Sequence, residues 1–395
     1  MRADVLEFIA RKTPPKDAPA VSTASPPRGT LPHAGTSDQF ATDPQGPRVV
    51  AFPLKGIDYV DQLYRAAADI GVHAVEGRWA GRWILQNIRP GDLAHIHWPS
   101  FLYFRARKPV RTLCLLLRFF LLASLIRLRG ARVAWTAHNL YPHDGGRTRW
   151  AHRAARSFIT RIADRVFVHG PTAARIVSRE FGISPARLVQ VPHGHWRTQY
   201  PNLPGKTEAR RRMRLPLHNV SVYGFIGSCL PYKNVESILE AFPRLDDSSH
   251  LLIAGAFPSP EYLRKVRSLT PAAAAHRVHI IPKFLGADEI MGYVAGLDAL
   301  VLSYKEILTS GVMMLALSAG IPVVAPSIGG IPDVINDFCG LLYDPRRPDG
   351  LLEAMREVRR RSYSADEIIA YARSFDWSVS ARRLKDVIEQ RTSSV

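Results

Sequence analysis

The sequence predicts an α/β protein built as two parallel-sheet domains, and three observations carry that expectation. Short apolar runs of strand type recur along the chain, each followed by a polar loop and a stretch with helical apolar spacing. The alternation begins at Arg48-Val49-Val50-Ala51-Phe52 and begins again at Val220 to Gly227, after a charged stretch. The chain of 395 residues, 46% hydrophobic, can bury a core in each of two domains.

Residues 1–47 read as a disordered tail. Eight prolines fall between Pro14 and Pro47 among Ser, Thr, Gly and Ala, with no strong apolar period. The opening MRADVLEFIARK lacks the continuous apolar core of a signal peptide, so secretion is not expected. Cys114, Cys229 and Cys339 are far apart and form no metal-spaced pair, which suits a reduced, cytosolic chain. The first strand, Arg48 to Phe52, runs into the loop Pro53 to Tyr59 and a helix carrying Leu63, Ala66, Ala67 and Ile70. Asp58 in that loop is either a candidate acid or base or the cap of the helix. Asp92 to Trp98 is a further strand with His95 and His97 on one face. With no third ligand nearby, a satisfied polar face is expected rather than a zinc site.

The stretch from Leu113 to Ile126 is apolar except for Arg118 and Ser124, and Arg105, Arg107, Lys108, Arg111, Arg127, Arg129 and Arg132 flank it without one acid between Phe101 and Trp135. It falls short of the ~20 residues a bilayer span needs. An interfacial helix fits better, with one face on the sheet and the rest, Leu116 and Phe120 included, on an anionic membrane held by Arg105, Arg107, Lys108 and Arg111. The alternative is a core helix with a basic solvated rim. The strand Arg132 to Thr136 then leads into Ala137 to Asp144, where His138, His143 and Asp144 stand as candidate bases at a strand's carboxyl end. Strands at Arg165 to His169 and Leu188 to Gly194 close the first domain. The run KTEARRRMR within 196–219 reads as a solvated face.

In the second half, the strand Val220 to Gly227 precedes the loop Ser228 to Asn234 and a helix with Ile238, Leu239, Ala241 and Phe242. Strands at Leu251 to Gly255 and Val278 to Pro282 continue the alternation. Ala299 to Leu302 is the next strand, and after a polar loop Ser310 and Gly311 open a helix. Gly320 stops it, Ile321 to Ala325 is a buried strand, and Ser327 to Gly330 is a loop that side chains cannot crowd. In a parallel sheet this sets a helix N-terminus at the carboxyl edge of the strands, where a diphosphate binds.

Glu306, Ser310-Gly311, Gly320-Ile321-Pro322-Val323-Val324-Ala325 and Gly329-Gly330-Ile331-Pro332-Asp333 follow one another in the order of the donor-binding motif of GT-B glycosyltransferases, which this chain resembles. The resemblance implies a GT-B fold, two Rossmann-like domains facing each other across a cleft. Its expected parts are an acceptor domain at 48–200, a linker at 201–219, a donor domain at 220–374 and a returning helix at 375–395. It implies that Gly227, Lys233, Glu306, Ser310, Gly311, Gly329 and Gly330 hold a nucleotide-sugar donor, with Lys233 on its diphosphate. Leu315 stands where the retaining branch has a second glutamate, and Ser228 where many relatives have an arginine. The wording WTAHNLYPHD and ILTSGVMMLALSAGIPVVAP looks closer to bacterial exopolysaccharide transferases of the xanthan β-mannosyltransferase kind. In such enzymes the T-x-H element reaches the donor sugar across the cleft.

With no D-x-D pair in a strand-end loop, neither a metal nor a cofactor is expected. The formal charge of +19 and pI near 10.2 call for an anionic partner. The expected ones are the nucleotide sugar, a polyprenyl-diphosphate-linked saccharide acceptor and the anionic cytoplasmic face of the inner membrane. The resemblance thus implies a peripheral, inverting hexosyltransferase of exopolysaccharide synthesis. A retaining transferase with a soluble acceptor is the alternative within the class. Outside it stands a nucleic-acid-binding protein, against which no zinc-finger or RNP signature is found and no aromatics interleave with the basic run.

Overall fold

The computed structural model describes residues 48–106, 108–142 and 149–390. The expectations for the tail, Arg107, His143 and Asp144 lie outside the described residues. Two six-stranded parallel sheets form, and the expected α/β fold is what the chain adopts. The first contains β1 (Val49–Phe52), β2 (Ala74–Glu76), β3 (Leu93–Ile96), β4 (Arg132–Thr136), β5 (Arg165–Val168) and β6 (Leu188–Gln190), in the order β2-β1-β3-β4-β5-β6. The second contains β7 (Ser221–Ile226), β8 (Ser249–Ala254), β9 (Val278–Ile281), β10 (Ala299–Val301), β11 (Val323–Pro326) and β12 (Gly340–Tyr343), in the order β12-β11-β10-β7-β8-β9. Strands such as VVAF, LAHI and VVAP are buried at every position, because helices cover both faces of a parallel sheet and leave no face for water. Val50 pairs in register with Ala94, which pairs with Val133, and Tyr223 pairs with Leu251 and with Ala299.

The strand order locates the functional edge. In the first sheet the chain leaves β1 to one side for β2 and to the other for β3, and in the second it leaves β7 for β8 and later returns beside it as β10. Ligands of such sheets sit at the carboxyl ends of the strands at these switch points. The edge strand β2 and the helix Gly81–Asn87 are additions to the elements read from the sequence. The last helix, Trp377–Glu389, crosses back onto the helix Asp58–Asp69. There Arg132 donates to the carbonyls of Val387 and Ile388 at 2.5 and 2.7 Å, and Lys385 donates to the carbonyl of Ile70 at 3.0 Å.

The apolar stretch is a 20-residue helix, Pro109–Leu128, which Pro109 starts. Thr112, Leu116, Phe119, Ala123 and Ile126 recur at helical spacing and are buried against the first sheet and the helix Arg149–Ile162. Leu116 is therefore a core residue, 2% exposed, which corrects its assignment to a membrane face. Phe120 is half-buried, its ring 4.5 Å from that of Phe158. The other side presents Val110, Leu113, Leu117, Leu121 and Leu128, with Leu121 70% exposed. A second correction concerns the charged run. It forms the helix Lys206–Met213, but Arg210 is buried, donating to the carbonyl of Gly296 at 2.9 Å and pairing with Asp298, so that run is not wholly a solvated face.

Candidate functional site

At the switch point of the second sheet, the loops after β7 and β10 lie side by side. Gly227 ends β7 with φ +105°, a conformation glycine adopts without strain. The chain then makes a short turn, Pro231–Lys233. The Lys233 Nζ lies 3.6 Å from the point where a Cβ on Gly227 would sit, and between the rings of Tyr304 and Phe225 at 5.7 and 6.0 Å. Loss of water around this ammonium pulls its pKa from 10.5 down to about 8. In the loop after β10, Ser303 Oγ donates to the Lys233 carbonyl at 2.8 Å, and Glu306 is exposed. Ser310 caps the helix Gly311–Ser318, its Oγ accepting from the Met313 amide at 3.3 Å. Val312 also lies 3.5 Å from the Cβ position of Gly227, so Gly227, Lys233 and the helix start converge. A Cβ on Gly329, where φ is +56°, would sit 1.9 Å from the Ile307 carbonyl oxygen, and one on Gly330 would sit 2.7 Å from that of Leu308. These two positions need glycine for the loop to close on 307–308. A cation beside a helix N-terminus in a poorly hydrated corner is an arrangement able to hold an anion.

Across from it, the strands of the first sheet end in imidazoles. His97 follows β3, His138 follows β4, His169 follows β5, and His193 follows β6 by three residues. His138 stacks on Trp98 at 4.2 Å and 10°. Tyr59, at the start of the helix after β1, touches His138, His169 and His193 with ring centroids at 4.6, 5.3 and 5.3 Å. Tyr64 on the same helix bonds His95 and His97 through its hydroxyl, at 2.9 Å to each, which is the satisfied polar face expected there. Burial holds all five imidazoles neutral, with His95 and His169 lowered to about 3, His193 to about 4, and His97 and His138 well below 6.5. Asp58 is exposed in the first turn of its helix, whose N-cap position is Ile57.

The two halves meet on named bonds. The Trp196 amide donates to Ser318 Oγ at 2.9 Å, and its indole N–H donates to the Gly311 carbonyl at 3.1 Å. His193 Nε2 lies 3.3 Å from the Cβ position of Gly311, so the imidazole row reaches the start of the helix Gly311–Ser318. Asp333, at the end of the glycine loop, accepts from the Thr172 amide at 2.8 Å and from its hydroxyl at 2.7 Å, capping the helix Pro171–Phe181 of the opposite half. Trp377 lays its ring on Gly194, where a Cβ would sit 2.1 Å away, and donates to the His195 carbonyl at 2.7 Å.

The structure thus brings Gly227, Lys233, Ser310 and Gly311 together, seats Gly329 and Gly330 beside them, and sets His138 among rings that reach Gly311. The sequence reading gave no role to Tyr59, Tyr64, His169, His193 or Asp333. A signal existed for the histidines, since one follows within three residues of each of four successive strands.

Residues 221–360 match the family described as glycosyl transferases group 1. A GDP-mannose:glycolipid 4-beta-D-mannosyltransferase of Xanthomonas campestris pv. campestris is 29% identical over 310 residues, 76% of this chain and 80% of the relative. A D-inositol 3-phosphate glycosyltransferase of Geodermatophilus obscurus is 30% identical over 230 residues, 54% of this chain and 50% of the relative. Among solved structures, sucrose-phosphate synthase of Thermosynechococcus elongatus superimposes with TM-score 0.66 at 15% identity, over 89% of this chain and 100% of that one. The Anabaena protein HepE, solved with UDP and glucose, gives TM-score 0.66 at 15% identity over 87% and 100%. With residues 221–360 similar to group 1 glycosyl transferases and two six-stranded parallel sheets arranged as in the solved neighbours, the chain is a glycosyltransferase of the GT-B fold.

Proposed function

We propose that the enzyme moves a hexose from a nucleoside-diphosphate sugar, GDP- or UDP-linked, to a saccharide carried on a polyprenyl diphosphate, with inversion, in exopolysaccharide synthesis. The observation that carries this reading is the convergence of Lys233, Gly227 and the Gly311 helix start at the β7–β10 switch point, facing the imidazoles of the first sheet. A departing nucleoside diphosphate gains negative charge, which an ammonium and helix amides stabilise. Transfer with inversion also needs a base for the acceptor hydroxyl, and Asp58, His138, His143 and Asp144 are its candidates. The glycolipid mannosyltransferase relative, named for a GDP-mannose donor and a glycolipid acceptor, supports both substrate classes. Leu315 in place of an acid on the donor helix supports inversion, whereas the inositol-phosphate relatives favour a second reading, transfer to a soluble acceptor. Nucleotide release is measured over a panel of GDP- and UDP-sugars with lipid-linked and soluble acceptors, and the product anomer is read by NMR. Release with neither donor class would sink the proposal.

The helix Pro109–Leu128 supports a peripheral site on the cytoplasmic face of the inner membrane. Among the described residues it is the one helix long and apolar enough to cross a bilayer, yet one face is committed to the sheet. The exposed row Val110, Leu113, Leu117 and Leu121 beside Arg105, Lys108 and Arg111 suits insertion into the headgroup boundary, each arginine adding about 1 kcal/mol on an anionic surface. The protein is expected to float with vesicles containing anionic lipid, less at high salt but not nil, because the apolar part is unscreened. Glutamate at Arg105, Lys108 and Arg111 releases it. A parent protein that stays in the soluble fraction at low salt refutes membrane attachment through this helix.

A further inference from the structure

His193 stands where the two halves meet. It follows β6 by three residues, and its Nε2 lies 3.3 Å from the place a Cβ on Gly311 would take, so the ring is set against the start of the helix Gly311–Ser318. Its Nδ1 faces the Gly194 carbonyl at 3.1 Å. A carbonyl only accepts, so Nδ1 carries the proton of the neutral ring and Nε2 holds the lone pair. Unlike His169 Nε2, which is buried without a partner, His193 Nε2 belongs to a partly exposed ring.

Against that ring lie Tyr59, His169, Trp196 and Trp377, with centroids at 5.3, 5.5, 5.6 and 5.8 Å. None of these brings a charge at neutral pH, since burial raises the Tyr59 hydroxyl and lowers His169 to about 3. Asp376, next to Trp377, is turned to His195 at 3.4 Å. The helix Gly311–Ser318 presents its positive end, and Lys233 reaches the same helix start beside Gly227 and Val312. A positive charge on His193 is thus opposed in the empty site by lost water, and its pKa lies at about 4. The helix end and Lys233 oppose it further. An anion placed at the helix start reverses the balance.

We propose that His193 is a second cation for the donor's diphosphate, formed only when the diphosphate arrives. A phosphate oxygen seated at the start of the helix Gly311–Ser318 draws a proton from solvent onto Nε2. The imidazolium then donates from Nδ1 to the Gly194 carbonyl and from Nε2 to the oxygen, and no other bond changes. Departure of the nucleoside diphosphate returns the proton to solvent. The empty site is spared an unpaired charge, which is costly where water is scarce, while the filled site carries two cations against the diphosphate.

The inference rests on the nucleotide-sugar reading for its ligand, so the test uses GDP, UDP and inorganic diphosphate as probes, with turnover measured separately. Calorimetric titration between pH 6 and pH 8, in buffers of different ionisation enthalpy, counts the protons taken up on binding. The two cations predict opposite slopes. Lys233, at about 8 in the empty site, takes up most near pH 8 and little at pH 6. His193, neutral throughout that range when the site is empty, takes up most at pH 6. Protons shed by the ligand's own phosphate are common to parent and variant. At pH 6 the parent is therefore expected to take up about half a proton or more per ligand beyond His193→Gln, and to bind about 10-fold more tightly. Equal proton counts at pH 6 in the two proteins overturn the proposal. Should His193→Gln fail to fold, the ¹⁵N histidine spectrum of the parent decides. The His193 ring is expected to be singly protonated at pH 6 without ligand and doubly protonated with it, and a ring that stays neutral with ligand bound overturns the proposal. Failure of all three probes to bind overturns the inference and the donor site together. Binding with the expected uptake, but no transfer from any nucleotide sugar, supports the inference and defeats the reading of function alone.

Discussion

Lys233→Ala is expected to lower kcat/KM by about 30- to 1,000-fold, the equivalent of about 2–4 kcal/mol of transition-state stabilisation. The size follows from where the ammonium sits. It lies beside Gly227 and the start of the helix Gly311–Ser318, between the Tyr304 and Phe225 rings, so little water is there to replace it. The arginine that many relatives carry in this loop is absent, Ser228 standing at about its place, and no second cation of the loop shares the load. With its pKa lowered to about 8, the free enzyme loses this charge as pH rises through 8, and kcat/KM should fall on that limb. Lys233→Arg stays charged and should abolish the alkaline fall while recovering part of the activity, its planar fork matching the ammonium's place imperfectly. Turnover within threefold of the parent in Lys233→Ala would show that the diphosphate lies elsewhere.

Trp377→Ala is expected to lower stability by about 3–5 kcal/mol, a large share of the ~5–15 kcal/mol that holds a typical fold. The indole is 4% exposed, packs on Tyr59, His193 and Trp196 at 5.1, 5.8 and 5.8 Å, and fills the space above Gly194. Its removal leaves a cavity at the point where the last helix begins, and unpairs the His195 carbonyl. Urea unfolding should show the loss, and limited proteolysis should cut the Trp377–Glu389 helix first. A change below about 1 kcal/mol with the helix still protected would mean that Arg132 and Lys385 fasten it on their own.

The strands were legible because each is a short apolar run, buried on both faces, between turn-forming residues; VVAF, RVAWT and VVAP need no context to be read. The loops around Ser310, Gly311, Gly329 and Gly330 were legible for a related reason, since their backbone geometry is one that local sequence dictates. Leu116 was misplaced because a run that is apolar on every side hides which face meets the sheet. The helical spacing of Thr112, Leu116, Phe119, Ala123 and Ile126 becomes informative only once β4 is beside it. Arg210 was misread because its partners, Gly296 and Asp298, lie far along the chain. The imidazole row was half-visible, each histidine standing after its strand, but its joining through Tyr59 and Tyr64 depends on a helix from another part of the sheet.

The bridge from Asp333 to Thr172 gives the glycine loop a second occupation. The loop that flanks the proposed donor site also holds the first turn of a helix in the other half, so on that proposal approach of the halves and seating of the donor draw on the same five residues, Gly329 to Asp333. Thermodynamic reciprocity then applies: whatever free energy a bound donor lends to the juxtaposed arrangement, that arrangement returns as donor affinity. A chain that spends only a fraction of its time with Asp333 on Thr172 binds donor more weakly by that fraction, with no donor contact altered.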